Sequence, residues 1–451
     1  MSGKPPVAFI GLGAMGFGMA TNLVKEGYPV TGFDVYQPTL DRFQAAGGST
    51  ASKPSEAVSG KDYCVCMVAT AQQAQSVLLD GDNAAISSLP QGAVVLLCST
   101  VPCEYVQGLE KELAARGRPD ILLVDCPVSG GAIRAANGTL SIMVGGSSAA
   151  IEKGSDLLKT MSDPEKLYIV KGGVGAGSNM KMCHQVLAAN QILSSSEALG
   201  FASRLGLDLN KVAPVILKSE GWSWMLENRL PRILDPKHLP LASAVTIILK
   251  DTSIITKEAR RYEFPTPMTS AAEQAYFASL ARGYGPEDDG GLIRMYTDGK
   301  EHVGALKGLA ETEEEKLSLV IDLLKGIHLA SATETLSFAQ HVGLELEQVF
   351  ELCINAAGGS AMLSAAGPEI MKTLRGEEAI QEPSAGGKTA PLQVFAANLT
   401  RAVEEAQALK VPIYLGNAAL NLMRVALRTT PKGSSDLPAR AMISVWGKGS
   451  S

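Results

Sequence analysis

The 451-residue sequence has no apolar run approaching the ~18–20 residues that a membrane-spanning helix requires, so no segment is expected to cross a bilayer. It has no excess of positive charge. Forty Lys and Arg against 46 Asp and Glu leave a net charge of −6 and a pI near 5.6, which gives no global reason to bind nucleic acid or an anionic membrane. Cysteine is sparse and odd in number, at seven, in a chain long enough to fold without covalent staples. Cys64 and Cys66 alternate within an apolar run, share one face, and read as buried thiols rather than a redox pair. No His/Cys/carboxylate group has metal-ligand spacing, and no Gly-x-Ser-x-Gly elbow or Walker loop occurs, so no metal site is expected. Apolar strand residues begin at Val7, which leaves no room for a secretory core and makes a cytoplasmic, reducing location the expectation.

What is present is a folded, globular composition, 46% hydrophobic and 19% charged, long enough for two or three domains. Over the first ~170 residues short apolar runs alternate with amphipathic segments. Strands are expected at 7–10, 30–33, 62–68, 94–98 and 121–125, with 140–144 and 167–170 extending the far side, and a helix at 15–26. That alternation predicts βαβ units and a parallel sheet. After the glycine-rich stretch 172–177 the strand signal stops, and the rest is helical.

The helical part contains a repeat. Glu197-Ala-Leu-Gly-Phe-Ala-Ser-Arg-Leu-Gly-Leu-Asp-Leu-Asn-Lys-Val212 returns further along the chain as Glu334-Thr-Leu-Ser-Phe-Ala-Gln-His-Val-Gly-Leu-Glu-Leu-Glu-Gln-Val349. At the same offset Gly221-x-Ser223-x-Met225-Leu226 meets Gly358-x-Ser360-x-Met362-Leu363, so the helical domain is duplicated. The polar stretch from Thr297 to Glu315 reads as the linker between copies.

Gly11-Leu12-Gly13-Ala14-Met15-Gly16 follows a strand directly and opens a helix, the context in which Gly-x-Gly-x-x-Gly binds a dinucleotide. The first glycine allows the turn, the second the approach of a pyrophosphate, and the third close packing of helix on strand. Asp34 ends the second strand, one helix beyond the glycine turn. A carboxylate there accepts both ribose hydroxyls and repels a 2′-phosphate, and no arginine between Val35 and Leu40 would hold one, so NAD is favoured over NADP.

Asp125-Cys-Pro-Val-Ser129-Gly130-Gly131 ends a strand in a hydroxyl and two small residues, the ingredients of an anion nest; on spacing alone it reads equally as an ordinary loop. Thr100 lies at a strand's carboxyl end, where open α/β sheets bind ligands. Lys181, His184 and Gln185 stand at i, i+3 and i+4 of the long helix and share a face. In a closed site a lysine works as acid or base. A solvated lysine and a simply packed histidine are the commoner fates of such residues.

Four segments in order resemble the β-hydroxyacid dehydrogenases, the family of 3-hydroxyisobutyrate dehydrogenase, over roughly residues 5 to 297. They are Gly11–Gly16; Asp125–Gly131 with Gly138-Thr-Leu-Ser-Ile-Met-Val-Gly145; Gly175 through Lys181; and Leu249-Lys250-Asp251. The fold class expected is α/β followed by all-α. A Rossmann-type doubly wound parallel sheet (1–174) would precede two tandem helical domains like those of 6-phosphogluconate dehydrogenase (175–300 and 312–451). The resemblance implies Lys181 as catalytic acid/base, Ser129, Gly130 and Gly131 on the substrate carboxylate, Thr100 beside the nicotinamide, and Lys250 lining the cleft. Lys181-Met-Cys-His184-Gln185, Gly221-Trp-Ser-Trp-Met-Leu-Glu-Asn-Arg229 and Gly283-Tyr-Gly-Pro-Glu-Asp-Asp289 resemble the L-threonate dehydrogenase branch. Most family members carry Asn where this chain has His184. A polyhydroxylated substrate would need polar partners such as His184, Gln185 and Asn228, whereas Trp222 and Trp224 fit core packing at least as well as substrate contact.

The reaction expected is therefore NAD-dependent oxidation of a short hydroxy acid, a sugar acid such as L-threonate. The rivals are NADPH-dependent reduction of a short semialdehyde or imine, and non-catalytic dinucleotide sensing. The second helical copy departs from the family. Ser318 stands in place of Lys181 and Ile321 in place of His184, while Lys388 echoes Lys250 with a one-residue slip. Family members commonly dimerise through the helical domain. The repeat is expected to supply that surface in cis, giving a monomer with an internal pseudo-dimer; a homodimer is the alternative.

Overall fold

Four apolar residues with no exposed member, Val7–Ile10, form β1. Parallel strands β2 (Val30–Phe33), β3 (Ser49–Thr50), β4 (Tyr63–Cys66), β5 (Val94–Leu97) and β6 (Leu122–Asp125) extend the sheet from it. Beyond them β7 (Val128–Ser129), β8 (Leu140–Gly146) and β9 (Ser162–Ile169) complete nine strands among the described residues, ordered 3-2-1-4-5-6-8-7 with β9 on β8. β8 runs antiparallel to β6 and β7. The computed structural model describes residues 3–297, 308–380, 389–430 and 436–447.

Alternate strand residues face opposite ways, and each face has its own core. Phe9, Val65, Leu96 and Val124 pack on one side; Ile10, Cys64, Cys66 and Leu97 pack on the other, so the two cysteines do share a face. The covering helices are α1 (Gly16–Lys25), α2 (Gln37–Ala45), α3 (Pro54–Val58), α4 (Ala71–Leu78), α5 (Cys103–Ala115), α6 (Gly131–Ala136) and α7 (Ser148–Met161). The strand order reverses between β1 and β4, which makes their carboxyl ends the topological switch point.

The remaining helices are α8 (Ala176–Arg204), α9 (Leu209–Leu217), α10 (Trp224–Leu234), α11 (Val245–Arg261), α12 (Pro267–Ala281) and α13 (Arg294–Thr297). They are followed by α14 (Glu313–His341), α15 (Leu346–Ile354), α16 (Ala361–Leu374), α17 (Leu392–Ala408) and α18 (Tyr414–Thr429). Contacts divide the chain into two units, Met1–Lys181 with Gly343–Glu345, and Met182–Val342 with Leu346–Ser451.

The duplication is visible helix by helix. α8 and α14 each have 29 residues, and α9 and α15 each have nine. The starts of α9 and α15 and of α10 and α16 keep the offset of the sequence repeat. α11 and α17, both 17 residues long, are separated by a larger offset, and α12 and α18 share it. The second copy therefore carries an insertion between α16 and α17. Lys388 falls in that interval, outside the described residues, and the helix register places Ala397 at the position of Lys250. The echo of Lys250 in Lys388 came from carrying a fixed offset across an insertion.

The copies are interlocked reciprocally. The Trp224 N–H donates to Gly359 O at 2.9 Å. The Ala361 N–H, at the equivalent position of the second copy, donates to Trp222 O at 3.1 Å, with Ser223 and Ser360 forming the bridge between them. Glu197 accepts the N–H groups of Leu415 (3.2 Å) and Gly416 (2.9 Å), at the start of α18. Its counterpart Glu334 accepts those of Met268 (2.8 Å) and Thr269 (3.0 Å), at the start of α12. Each copy thus caps a helix of the other, satisfying amides that a helix start leaves unpaired. The linker expectation needs one correction: Thr312 and Glu315 make a capping box, so Glu313–Glu315 is the first turn of α14.

Candidate active site

Gly11 adopts φ +91°, and a Cβ there would lie 2.3 Å from Met67 O; one on Gly16 would lie 1.9 Å from Gly11 O. Only glycine fits either position. Gly13 has open space around it, and both Gly13 and Ala14 are exposed, with Met15 half-buried. The first bond returning to this turn is Phe17 N–H to Gly13 O at 3.0 Å, and the first turn of α1 has no acidic residue. An uncompensated helix start beside an open glycine favours an anion such as a phosphate. Asp34 lies at the end of β2, its Oδ2 accepting from Leu12 N–H at 2.7 Å and its Oδ1 from Tyr36 N–H at 2.9 Å. The carboxylate is thereby fixed against the turn. These residues fit a dinucleotide.

Thr100 follows β5, next to Ser99, whose hydroxyl accepts from Val68 N–H at 2.9 Å. Ser129 ends β7, paired with Ser141 of β8. Gly130 and Gly131 follow at φ +142° and +74°, and open space surrounds Gly131. The Ser129–Gly131 segment is thus a strand end turning through two residues of positive φ.

The start of α8 is seated on this sheet. Buried Asp125, the last residue of β6, accepts the Ser178 N–H and hydroxyl, both at 2.7 Å. Burial pushes its carboxyl up to about 6, against the pull of those bonds. A Cβ on Gly177 would lie 2.4 Å from Met143 O and 2.6 Å from Asp125 O, and one on Gly145 would lie 2.5 Å from Gly173 O. Glycine at both positions lets the helix start touch the strands. Lys181 comes one turn later and is only 5% exposed. The motif Asp125–Gly131 by itself gives Asp125 no task. Its partner is 53 residues away, and no local pattern announces the tie.

In the helical unit His184 is fully buried, and its Nδ1 lies 3.1 Å from Gln185 Oε1. Gln185 Nε2 donates to Asp251 Oδ2 at 2.5 Å, and Lys250 Nζ pairs with Asp251 Oδ1 at 3.0 Å. Asp251 is a further residue that spacing did not single out. The segments ending in Arg229 and Asp289 meet structurally: Arg229 forks onto Asp289 at 2.9 and 3.2 Å, while Asn228, exposed, accepts from Arg229 at 2.9 Å. Trp222 and Trp224 lie in the bridge between copies, and the Trp222 ring N–H donates to Glu227 at 2.7 Å. All seven cysteines are buried and none is in a disulfide, and burial pushes the Cys64 and Cys353 thiols up to about 12. Among the described residues no group of three or more His, Cys, Asp or Glu could hold a metal, and no helix is long and apolar enough to cross a membrane.

Residues 6–173 match the family described as the NAD binding domain of 6-phosphogluconate dehydrogenase. The family described as NAD-binding of NADP-dependent 3-hydroxyisobutyrate dehydrogenase matches twice, at 175–296 and 315–445. L-threonate dehydrogenase of Cupriavidus necator is 38% identical over 290 residues, 64% of this chain and 95% of that protein. The chain belongs to the β-hydroxyacid dehydrogenase family. This dehydrogenase is accordingly an NAD(P)-dependent oxidoreductase acting on CH–OH donors, with a small-molecule substrate. The solved 3-hydroxyisobutyrate dehydrogenase of Salmonella typhimurium is 31% identical, with a TM-score of 0.60 over 65% of this chain and 100% of its own. The 6-phosphogluconate dehydrogenase of Plasmodium falciparum, 16% identical, shares the fold over 96% of this chain and 99% of its own, with a TM-score of 0.66. The expected fold class, a Rossmann-type sheet followed by tandem helical domains, is the one found.

Proposed function

We propose that this dehydrogenase oxidises a short sugar acid of the L-threonate type with NAD, at one site per chain. Residues 1–174 hold the cofactor, 175–300 carry the catalytic helix, and 312–451 form a degenerate copy without chemistry. One observation carries the catalytic part of the reading: a lysine buried to 5% exposure stands one turn into a helix whose start rests on the carboxyl end of β6.

Gly11, Gly13, Ala14, Met15 and Gly16 would hold the pyrophosphate, Asp34 the adenosine ribose, and Thr100 and Lys250 the nicotinamide side. The nicotinamide supplies the hydride acceptor. Lys181 takes the proton of the substrate hydroxyl as the hydride leaves, and Ser129 with the Gly130 and Gly131 backbone fixes the carboxylate. His184 and Gln185 meet the additional hydroxyls. Asp34 supports NAD over NADP, because its fixed carboxylate competes for the place a 2′-phosphate would take.

A substrate panel tests the reading: threonate, erythronate, 3-hydroxyisobutyrate, glycerate and succinic semialdehyde, each with NAD and NADP. The expected result is the highest kcat/KM for threonate with NAD. Preferred reduction of the semialdehyde with NADPH would replace it by the reductase reading, and no turnover by dinucleotide sensing.

A further inference from the structure

Within the helical unit a single line of contacts leads from an ion pair to an imidazole: Lys250 to Asp251, Asp251 to Gln185, Gln185 to His184. Donor and acceptor roles along it are forced. A carboxylate only accepts, so Gln185 must present its NH2 group to Asp251 Oδ2, 2.5 Å away. The amide oxygen is thereby turned to His184 Nδ1 at 3.1 Å, and it too only accepts. The proton in that contact belongs to Nδ1. A neutral His184 is then the Nδ1–H tautomer, with Nε2 as the ring's acceptor.

We propose that Asp251 is a positioning residue that, through Gln185, fixes His184 as this tautomer, and that Nε2 accepts a hydrogen bond from a substrate hydroxyl other than the one oxidised. The second part rests on the sugar-acid reading above; the first does not. Acceptor character at Nε2 suits a ligand rich in hydroxyl donors and discriminates against an acid with nothing to donate there.

The degenerate copy separates this role from simple helix tying. Helix registers put Asp322 in the place of Gln185 and Asn398 in the place of Asp251, and Asn398 Nδ2 donates to Asp322 Oδ1 at 3.3 Å. An amide and a carboxylate bridge the same two helices in both copies, but in opposite order. Joining the helices requires the pair in either order. Only the order in the first copy turns a carbonyl oxygen toward the preceding residue, where His184 stands; the second copy has Ile321 there.

Tautomers are read directly by long-range 1H–15N correlation on the full-length protein labelled with 15N in its five histidines, at a pH above the ordinary imidazole range. The His184 signals are those lost in His184→Asn. The expected wild-type pattern is a protonated Nδ1 and an unprotonated Nε2. In Asp251→Asn, whose amide donates as well as accepts, that preference is lost. Gln185→Met removes it while leaving the Lys250–Asp251 pair, and serves if the first variant does not fold. Asp251→Asn is also expected to lower kcat/KM for threonate by ~10-fold or more beyond the loss for 3-hydroxyisobutyrate, which reads the shared effect on the Lys250 pair, since only threonate has further hydroxyls. A wild-type His184 protonated on Nε2 overturns the proposal whatever the substrate. Equal losses for both acids with the tautomer unchanged overturn it as well, reducing Asp251 to a structural tie. A protein that shows the expected tautomer but oxidises only monohydroxy acids overturns the sugar-acid reading and the hydroxyl contact, and leaves the tautomer control standing.

Discussion

Lys181 is almost fully buried, which sets it apart from lysines kept for solubility. If it takes the hydroxyl proton, Lys181→Ala should lose at least ~10²-fold in turnover, the lower range for a general acid or base. Cofactor binding, followed by the fluorescence of the reduced nicotinamide in NADH, should persist because the glycine turn is built without Lys181. Near-normal turnover would assign the proton to another group. Asp34 makes a second prediction at this scale. Its carboxylate is tied to the turn by Leu12 N–H and to its own strand end by Tyr36 N–H. Asp34→Asn keeps an acceptor but removes the charge, so the ratio of kcat/KM for NAD to that for NADP should fall by ~10-fold or more, the equivalent of about 1.4 kcal/mol. An unchanged ratio would mean that Asp34 serves the turn alone. Lys181, Asp34 and Ser129 could be singled out as candidates because each sits close to a glycine motif, and for Lys181 and Ser129 it was the family resemblance that suggested a role. Asp125 and Asp251 could not, since their partners Ser178 and Gln185 lie 53 and 66 residues away.

At the scale of elements the same distinction holds. The runs that became β1, β2, β4, β5 and β6 were legible because each is four residues of nearly continuous burial; β3 and β7 have two residues each and no periodicity to read. Glu197 and Glu334 head the repeated segments, so their equivalence was visible in the sequence, but the exchange of helix caps between copies was not. That exchange carries a pH signature. Burial pushes both carboxyls from an ordinary 4.5 up to about 7, against the amides that favour their charged forms. A carboxyl whose folded value is raised holds its proton more tightly in the native state. Its contribution to stability is therefore fully present below 4.5 and is lost as the pH rises to about 7, on the order of 3 kcal/mol for each group. Asp125, raised to about 6, acts in the same sense over a narrower window. His328, which burial lowers from 6.5 to about 3, acts in the opposite sense, adding stability as the pH rises to 6.5. The two glutamates outweigh it. The urea midpoint of the wild type should fall between about pH 5 and pH 8, and Glu334→Gln, which cannot ionise, should fall less over the same interval. Equal slopes for the two proteins would show that Glu334 does not titrate in this range.

For the whole molecule the duplication fixes a count. The cofactor-domain family matches the chain once and the helical family twice, so the sequence has one such glycine turn for two helical copies. The second copy has Ser318, Ile321 and Ala397 where the first has Lys181, His184 and Lys250, and none of the three can replace the ammonium or imidazole it stands for. What the second copy retains are two groups that join it to the first, the Ser360 bridge and the Glu334 cap, together with the amide–carboxylate pair that ties its own two helices. Selection on a pure packing partner would keep these and release the chemistry. If the second copy occupies in cis the surface that a partner subunit would otherwise cover, no second chain is needed to complete the helical unit. Calorimetry should then find one NAD bound per chain, and sedimentation should find a species of about 47 kDa across a wide concentration range, with turnover per chain independent of enzyme concentration. A stable species of twice that mass, dissociating with loss of activity on dilution, would show that the internal copy does not replace a partner. A binding ratio near two would give the degenerate copy a ligand site after all.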